Sequence, residues 1–120
     1  MRADFESIPK VVTLAKRIIG GEMTFTFPDV LEVIRLCTEH QIAVLGPDLF
    51  RVGKDGRLET EKLSAYHLQL KNDPKRIEEW PDYLEINNAL AEEFVTQNPA
   101  GDDHVYVLTT ASWREFQEMK

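Results

Sequence analysis

Apolar positions along this 120-residue chain change period several times, and each change predicts an element. From Ile8 to Ile19, the residues Val11, Leu14, Ala15 and Ile18 recur at helical spacing, with Ser7 placed to cap and Pro9 tolerated in the first turn. Gly20-Gly21 is expected to end this helix, since glycine takes the left-handed C-terminal position without steric cost. Met23, Phe25 and Phe27 then alternate with Glu22, Thr24 and Thr26, which fits a short strand or an extended entry to the next helix. Val30, Val33, Ile34 and Cys37 form the stripe of a second helix, from about Phe27 or Pro28 to Gln41, with Thr26 and Asp29 as a weak capping box. Cys37 therefore reads as core rather than as a nucleophile.

Shorter periods follow. Ile42 to Leu45 is a buried run, and Leu49 to Val52 and Arg57 to Thr60 flank the hairpin loop Gly53-Lys54-Asp55-Gly56. Gly46-Pro47-Asp48 reads as a structural corner joining two strand segments, with Asp48 bonding to nearby backbone. From Ser64 to Leu70, Tyr66, Leu68 and Leu70 alternate with Ala65, His67 and Gln69, as in a strand with one wet face. A helical region begins near Asp73, a cap with Pro74 behind it, and continues to about Gln97. Pro81 either kinks it or starts a second helix after a short helical turn. His104 to Thr109 is a strand that Val105, Tyr106, Val107 and Leu108 suggest is buried on both faces, and Ser112 with Glu115 caps a last helix, Trp113 to Lys120. The order predicts a single α+β domain over residues 1–120, with a small, mainly antiparallel sheet and helices packed against it. Strand order does not follow from the pattern.

Charge narrows the partners. Twenty-one acidic against fourteen basic residues give a net charge of −7, which argues against direct nucleic-acid or anionic-membrane binding and for a basic protein partner. Apolar runs fall far short of the ~20 residues of a membrane span, and the N-terminus lacks the basic start and apolar core of a signal peptide. The lone Cys37 excludes an internal disulfide and suits a reducing, cytoplasmic compartment.

Local catalytic motifs are absent. Ser7, Ser64 and Ser112 lack a nucleophile elbow. The Gly53-Lys54-Asp55-Gly56 loop lacks phosphate-loop spacing. His40, His67 and His104 lie far apart, with one cysteine to help them hold a metal. No enzyme activity, cofactor or metal is expected.

The densest constellation is Glu78-Glu79-Trp80-Pro81-Asp82-Tyr83-Leu84-Glu85, continued by Glu92-Glu93. At 100° per residue, Ile77, Trp80, Leu84, Ala91 and Val95 gather on one side of a helix, while Glu78, Glu79, Asp82, Glu85, Glu92 and Glu93 share an arc of roughly 140° on the other. Tyr83 borders that arc. An amphipathic helix with a solvated outer face needs no more than this, but such faces usually mix signs, because Glu and Lys four apart attract. No Lys or Arg occurs from Ile77 to Val95, so these six carboxylates and Tyr83 are candidate partner-binding residues. Trp80 and Trp113 read as core anchors.

The stretch Ile42 to Phe50, with a helix leading into Ile-x-Val-Leu-Gly-x-Asp-Leu-Phe, followed by a hairpin, a Trp-containing helix and a Tyr-Val-Leu strand, resembles the immunity protein 40 family of bacterial polymorphic-toxin and contact-dependent inhibition systems. Family members carry two glycines before the corner aspartate and an aromatic soon after. Here Pro47 stands in place of the second glycine, Asp48 matches the aspartate and Phe50 the aromatic. The resemblance spans roughly Pro28 to Leu108 and leaves out the first 27 residues. It implies binding and neutralisation of one cognate toxin domain, commonly a nuclease, and the sequence also allows a homodimer. The alternatives are a small cytosolic regulatory or adaptor domain without a toxin partner, and an enzyme built from scattered carboxylates and histidines.

Overall fold

A computed structural model of the chain describes residues 4–19, 21–64 and 74–118. A single 3-10 turn, Asp4–Ser7, leads into α1 (Pro9–Leu14), then β1 (Arg17–Ile19), β2 (Glu22–Thr24), α2 (Asp29–Glu39), β3 (Ile42–Val52) and β4 (Leu58–Ser64). A second 3-10 turn, Ile77–Glu79, precedes α3 (Trp80–Gln97), and β5 (His104–Ser112) and α4 (Trp113–Glu118) follow. β1 and β2 form a two-stranded hairpin, and the larger sheet has the order β4-β3-β5, all antiparallel. The fold is α+β. The alternating run from Ala65 to Leu70 and the Asp73 cap lie outside the described residues.

The first helix is shorter than its periodicity predicts. The Ala15 amide closes it on the Val11 and Val12 carbonyls, and Ala15 itself is already extended. Arg17–Ile19 then pairs with Glu22–Thr24, and Ile18 is 67% exposed instead of continuing the apolar stripe. Gly21, expected to end a helix, lies in a hairpin turn instead and takes φ +84°, and Gly20 lies outside the described residues. Glycine serves both purposes equally well, and the β-branched Ile18 and Ile19 favour the strand. Ser7 does not cap α1: its hydroxyl donates to the Asp4 carbonyl, and the N-cap position is Ile8.

Gly46-Pro47-Asp48 lies inside one continuous strand rather than at a corner between two. Between Val44 and Gly46 the register against β5 slips by one residue, a β-bulge. Its effect is to exchange faces. Ile42 and Val44 point into the larger core before it, and Leu49 points there after it, a switch from even to odd positions. Pro47 fits because of where its nitrogen faces. Tyr106 of β5 exchanges both backbone hydrogen bonds with Phe25, away from β3. By the alternation of an antiparallel ladder, the pair Pro47–Leu108 two residues on likewise turns its backbone groups away from the β3–β5 seam. Proline therefore removes no ladder bond there.

The sheet has a core on each face. One is built from Phe5, Val11, Phe25, Val33, Ile34, Cys37 and Val44 with α1 and α2, and the other from Ala43, Trp80, Tyr83, Leu84, Ala111 and Phe116. α3 contributes to both. Trp80, Tyr83 and Leu84 enter the second core, whereas Ala91 and Val95 enter the first. The helix thus passes alongside the sheet edge and crosses from one face to the other.

Candidate functional site

The crossing point is held by two consecutive amides that hydrophobic patterning did not single out. Asn87 and Asn88 are buried, at 0% and 1% exposure. Asn88 accepts from the Val44 amide at 2.9 Å and donates to the Ile42 carbonyl and the Thr38 hydroxyl, both at 2.9 Å. Asn87 donates to the Val44 carbonyl at 2.8 Å. Among the described residues β4 pairs with β3 only from Asp48 onward, so the helix side chains take the place of a neighbouring strand along Ile42–Val44. A side-chain amide, carrying donor and acceptor, is the side-chain group that matches a peptide unit. The Trp80 indole adds a bond to the Gln41 carbonyl at 2.8 Å, and its ring packs 5.3 Å from Tyr83, Trp113 and Phe116. α3 is therefore fixed along its length, which makes its outer face a rigid platform.

That outer face carries the predicted carboxylates, in three different situations. Glu78, Asp82 and Glu85 are exposed and, among the described residues, have no ion-pair or hydrogen-bond partner. Glu93 is exposed and accepts only a long bond, 3.3 Å, from Gln97. Glu79 is committed to structure. Its carboxylate accepts the Lys75 and Arg76 amides, both at 3.0 Å, and those bonds hold its carboxyl below the usual range. Glu92 faces Arg35 of α2 across 3.2 Å.

Two of the expected positions shift. Tyr83, placed at the border of the acidic arc, is 7% exposed and stacked on Trp80, so it braces the helix from within. Ile77, placed on the apolar side, is 57% exposed. It begins the 3-10 turn, where each residue advances about 120° instead of 100°, so the helical register does not reach back to it. Pro81 stands in the first turn of α3, matching the second of the two readings offered for it. Ile86, 56% exposed, falls within the acidic arc. It was legible as an apolar residue at an outward angle, and it places an oily contact among charges.

The remaining candidates are spread apart. Cys37 is fully buried, and burial pushes its thiol up to about 12, which leaves it a poor nucleophile at neutral pH. Ser112 caps α4: Glu115 receives the Ser112 amide at 2.9 Å and donates its own amide to the Ser112 hydroxyl at 3.3 Å, the expected capping box. His40 ends α2 and His104 opens β5 beside Asp103, while His67 lies outside the described residues. The Gly53–Gly56 loop spends its amides internally, Gly53 on the Arg57 carbonyl and Gly56 on the Gly53 carbonyl. Among the described residues no three metal-type ligands converge, and no helix is long and apolar enough to cross a membrane. Asp48 and Phe50 lie in β3, opposite Val107 and Val105 of β5.

No protein family, no curated protein and no solved structure is matched by this chain.

Proposed function

We propose that this chain is an immunity-type inhibitor that binds and neutralises a cognate basic toxin domain through the outer face of α3. The observation that carries the reading is the row of exposed, unpaired carboxylates at Asp82 and Glu85, with Glu93 beyond, on a helix held rigid by buried amides and an indole, and with Glu78 exposed in the 3-10 turn that leads into it. A row of carboxylates on a helix that carries no Lys or Arg between Trp80 and Val95 is complementary to a positively charged site such as a nuclease presents to its substrate. Ile86 in the same face supplies apolar area that charge alone lacks. Carboxylates of this kind chiefly raise the rate and specificity of encounter, while apolar contacts supply more of the affinity.

The test is binding to the toxin domain encoded by the neighbouring gene, measured by calorimetry at rising salt. Binding should weaken steeply with ionic strength, and Asp82→Lys with Glu85→Lys and Glu93→Lys should abolish protection while circular dichroism stays native. Glu79 is left out because its carboxylate caps backbone. Unchanged affinity in that triple variant, or a neighbouring product that does not bind while affinity capture returns a housekeeping complex, refutes this reading.

A further inference from the structure

At the sheet edge opposite α3, β5 has a bare stretch of backbone. Phe25 pairs with Tyr106 there through both backbone bonds, 3.0 and 2.8 Å. Beyond Phe25, β2 turns off to pair with β1. Leu108 and Thr110 share the outward ladder phase of Tyr106. Leu108 is opposite Pro47, and Thr110 is opposite Val44, whose own amide and carbonyl go to Asn88 and Asn87 instead. Among the described residues, their amides and carbonyls thus face a groove of about 250 Å³. Phe5, Glu6, Glu22, Met23 and Thr109 complete its lining. A water occupies ~30 Å³ of liquid, so the groove accepts a short length of chain rather than an isolated solvent molecule.

We infer that this groove receives an extended peptide segment bearing Lys or Arg, which adds to β5 at Leu108 and Thr110. The open ladder supplies sequence-independent hydrogen bonds, the apolar Phe5, Met23 and Leu108 take a side chain of the incoming strand, and Glu22 at the lip selects for positive charge. A second copy of this chain is the poorer occupant. Edge-to-edge pairing of two copies would bring equal acidic lips together on molecules of net charge −7. The inference rests on the β5 edge and shares no residue with the acidic face of α3.

The experiment uses the full chain and a blocked Val-Lys-Val-Lys-Val-Lys peptide, with the Val-Glu counterpart as control, followed by amide exchange and backbone shifts. In the free protein the amides of Leu108 and Thr110 should exchange faster than those of Val107 and Thr109, which face β3. The lysine peptide should slow and shift both fast amides, and the glutamate peptide should not. Glu22→Lys should weaken the lysine peptide about two- to fivefold. Thr110→Pro, which removes an edge donor, should weaken it about three- to tenfold. Should Thr110→Pro not fold, the Glu22→Lys arm still decides. Equal effects of both peptides, no response at Leu108 and Thr110, or protection that grows with protein concentration and needs no peptide would each overturn the proposal.

Discussion

The two flanks of the β3–β5 pair illustrate opposite solutions to one problem. An exposed strand presents amides and carbonyls that must find partners. Along Ile42–Val44, the partners are the side chains of Asn87 and Asn88, brought in by a helix that crosses from one core to the other. Along Leu108–Thr110, among the described residues, nothing protein-made replaces Phe25 after β2 diverges. The first edge is closed and buried, and carries an acidic outer layer. The second is open and holds a groove. The lesson is that edge protection in this fold is the work of two amide side chains rather than of a strand.

The largest loss is expected at Asn88. Asn88→Leu keeps the branched shape but strands the Val44 amide and the Ile42 carbonyl, while the Thr38 hydroxyl loses a donor and keeps its own bond to the Ile34 carbonyl, and it should cost about 3 kcal/mol by urea unfolding. A loss below about 1 kcal/mol would mean that the edge is satisfied in some other way. Asn87→Leu should cost less, about 1–2 kcal/mol. The Val44 carbonyl loses its partner and Asn88 Oδ1 loses one donor while keeping the Val44 amide, and the side-chain oxygen of Asn87 has none to lose. On the open side, Thr110→Pro should lower stability by no more than about 1 kcal/mol, since a proline whose nitrogen faces outward is tolerated at a strand edge. A loss as large as that at Asn88 would show that the edge is covered.

The smallest effect concerns the latch that ties the first 3-10 turn to the end of β5. Asp4 accepts from the Ser112 hydroxyl and from the Arg114 guanidinium, the latter at 3.0 Å, and these contacts, the Ser112 bond foremost, hold its carboxyl below the ordinary 3.8. A carboxyl depressed on folding contributes stability above its unfolded value and loses it as pH falls through the folded one. The advantage of wild type over Asp4→Asn should therefore be level from neutral pH down to the carboxylate range and shrink below 3.8, as followed by thermal midpoints. A gap that persists undiminished in strong acid would show that Asp4 acts by shape and not by charge.

Local rules carried much of the fold. Helical spacing found α2 from Val30, Val33, Ile34 and Cys37, all fully buried. Glycine placement found the β3–β4 hairpin, and the Ser112–Glu115 box found the start of α4. They failed where one residue type serves two conformations. Gly20-Gly21 suits a helix end and a hairpin turn alike, and Gly46-Pro47 suits a corner as well as a bulge. In each case a distant partner made the choice, Thr24 receiving the Lys16 amide in the first and Leu108 aligning with Pro47 in the second.

The same division holds for the candidate site. One-sided charge on α3 was legible because angle along a helix is a local property, and Asp82, Glu85 and Glu93 do lie outward on it. Whether a carboxylate is free, caps a turn like Glu79 or faces Arg35 like Glu92 depends on atoms far along the chain. Tyr83 was ambiguous for the same reason until the aromatic core formed around it. By itself, then, the sequence determined periodicity, caps and the sign of a surface, since these are set by neighbours within a few residues. Only the tertiary structure decided which edges are closed, because hydrogen-bond partners for a strand come from elements tens of residues away, and pattern along the chain does not say which element arrives.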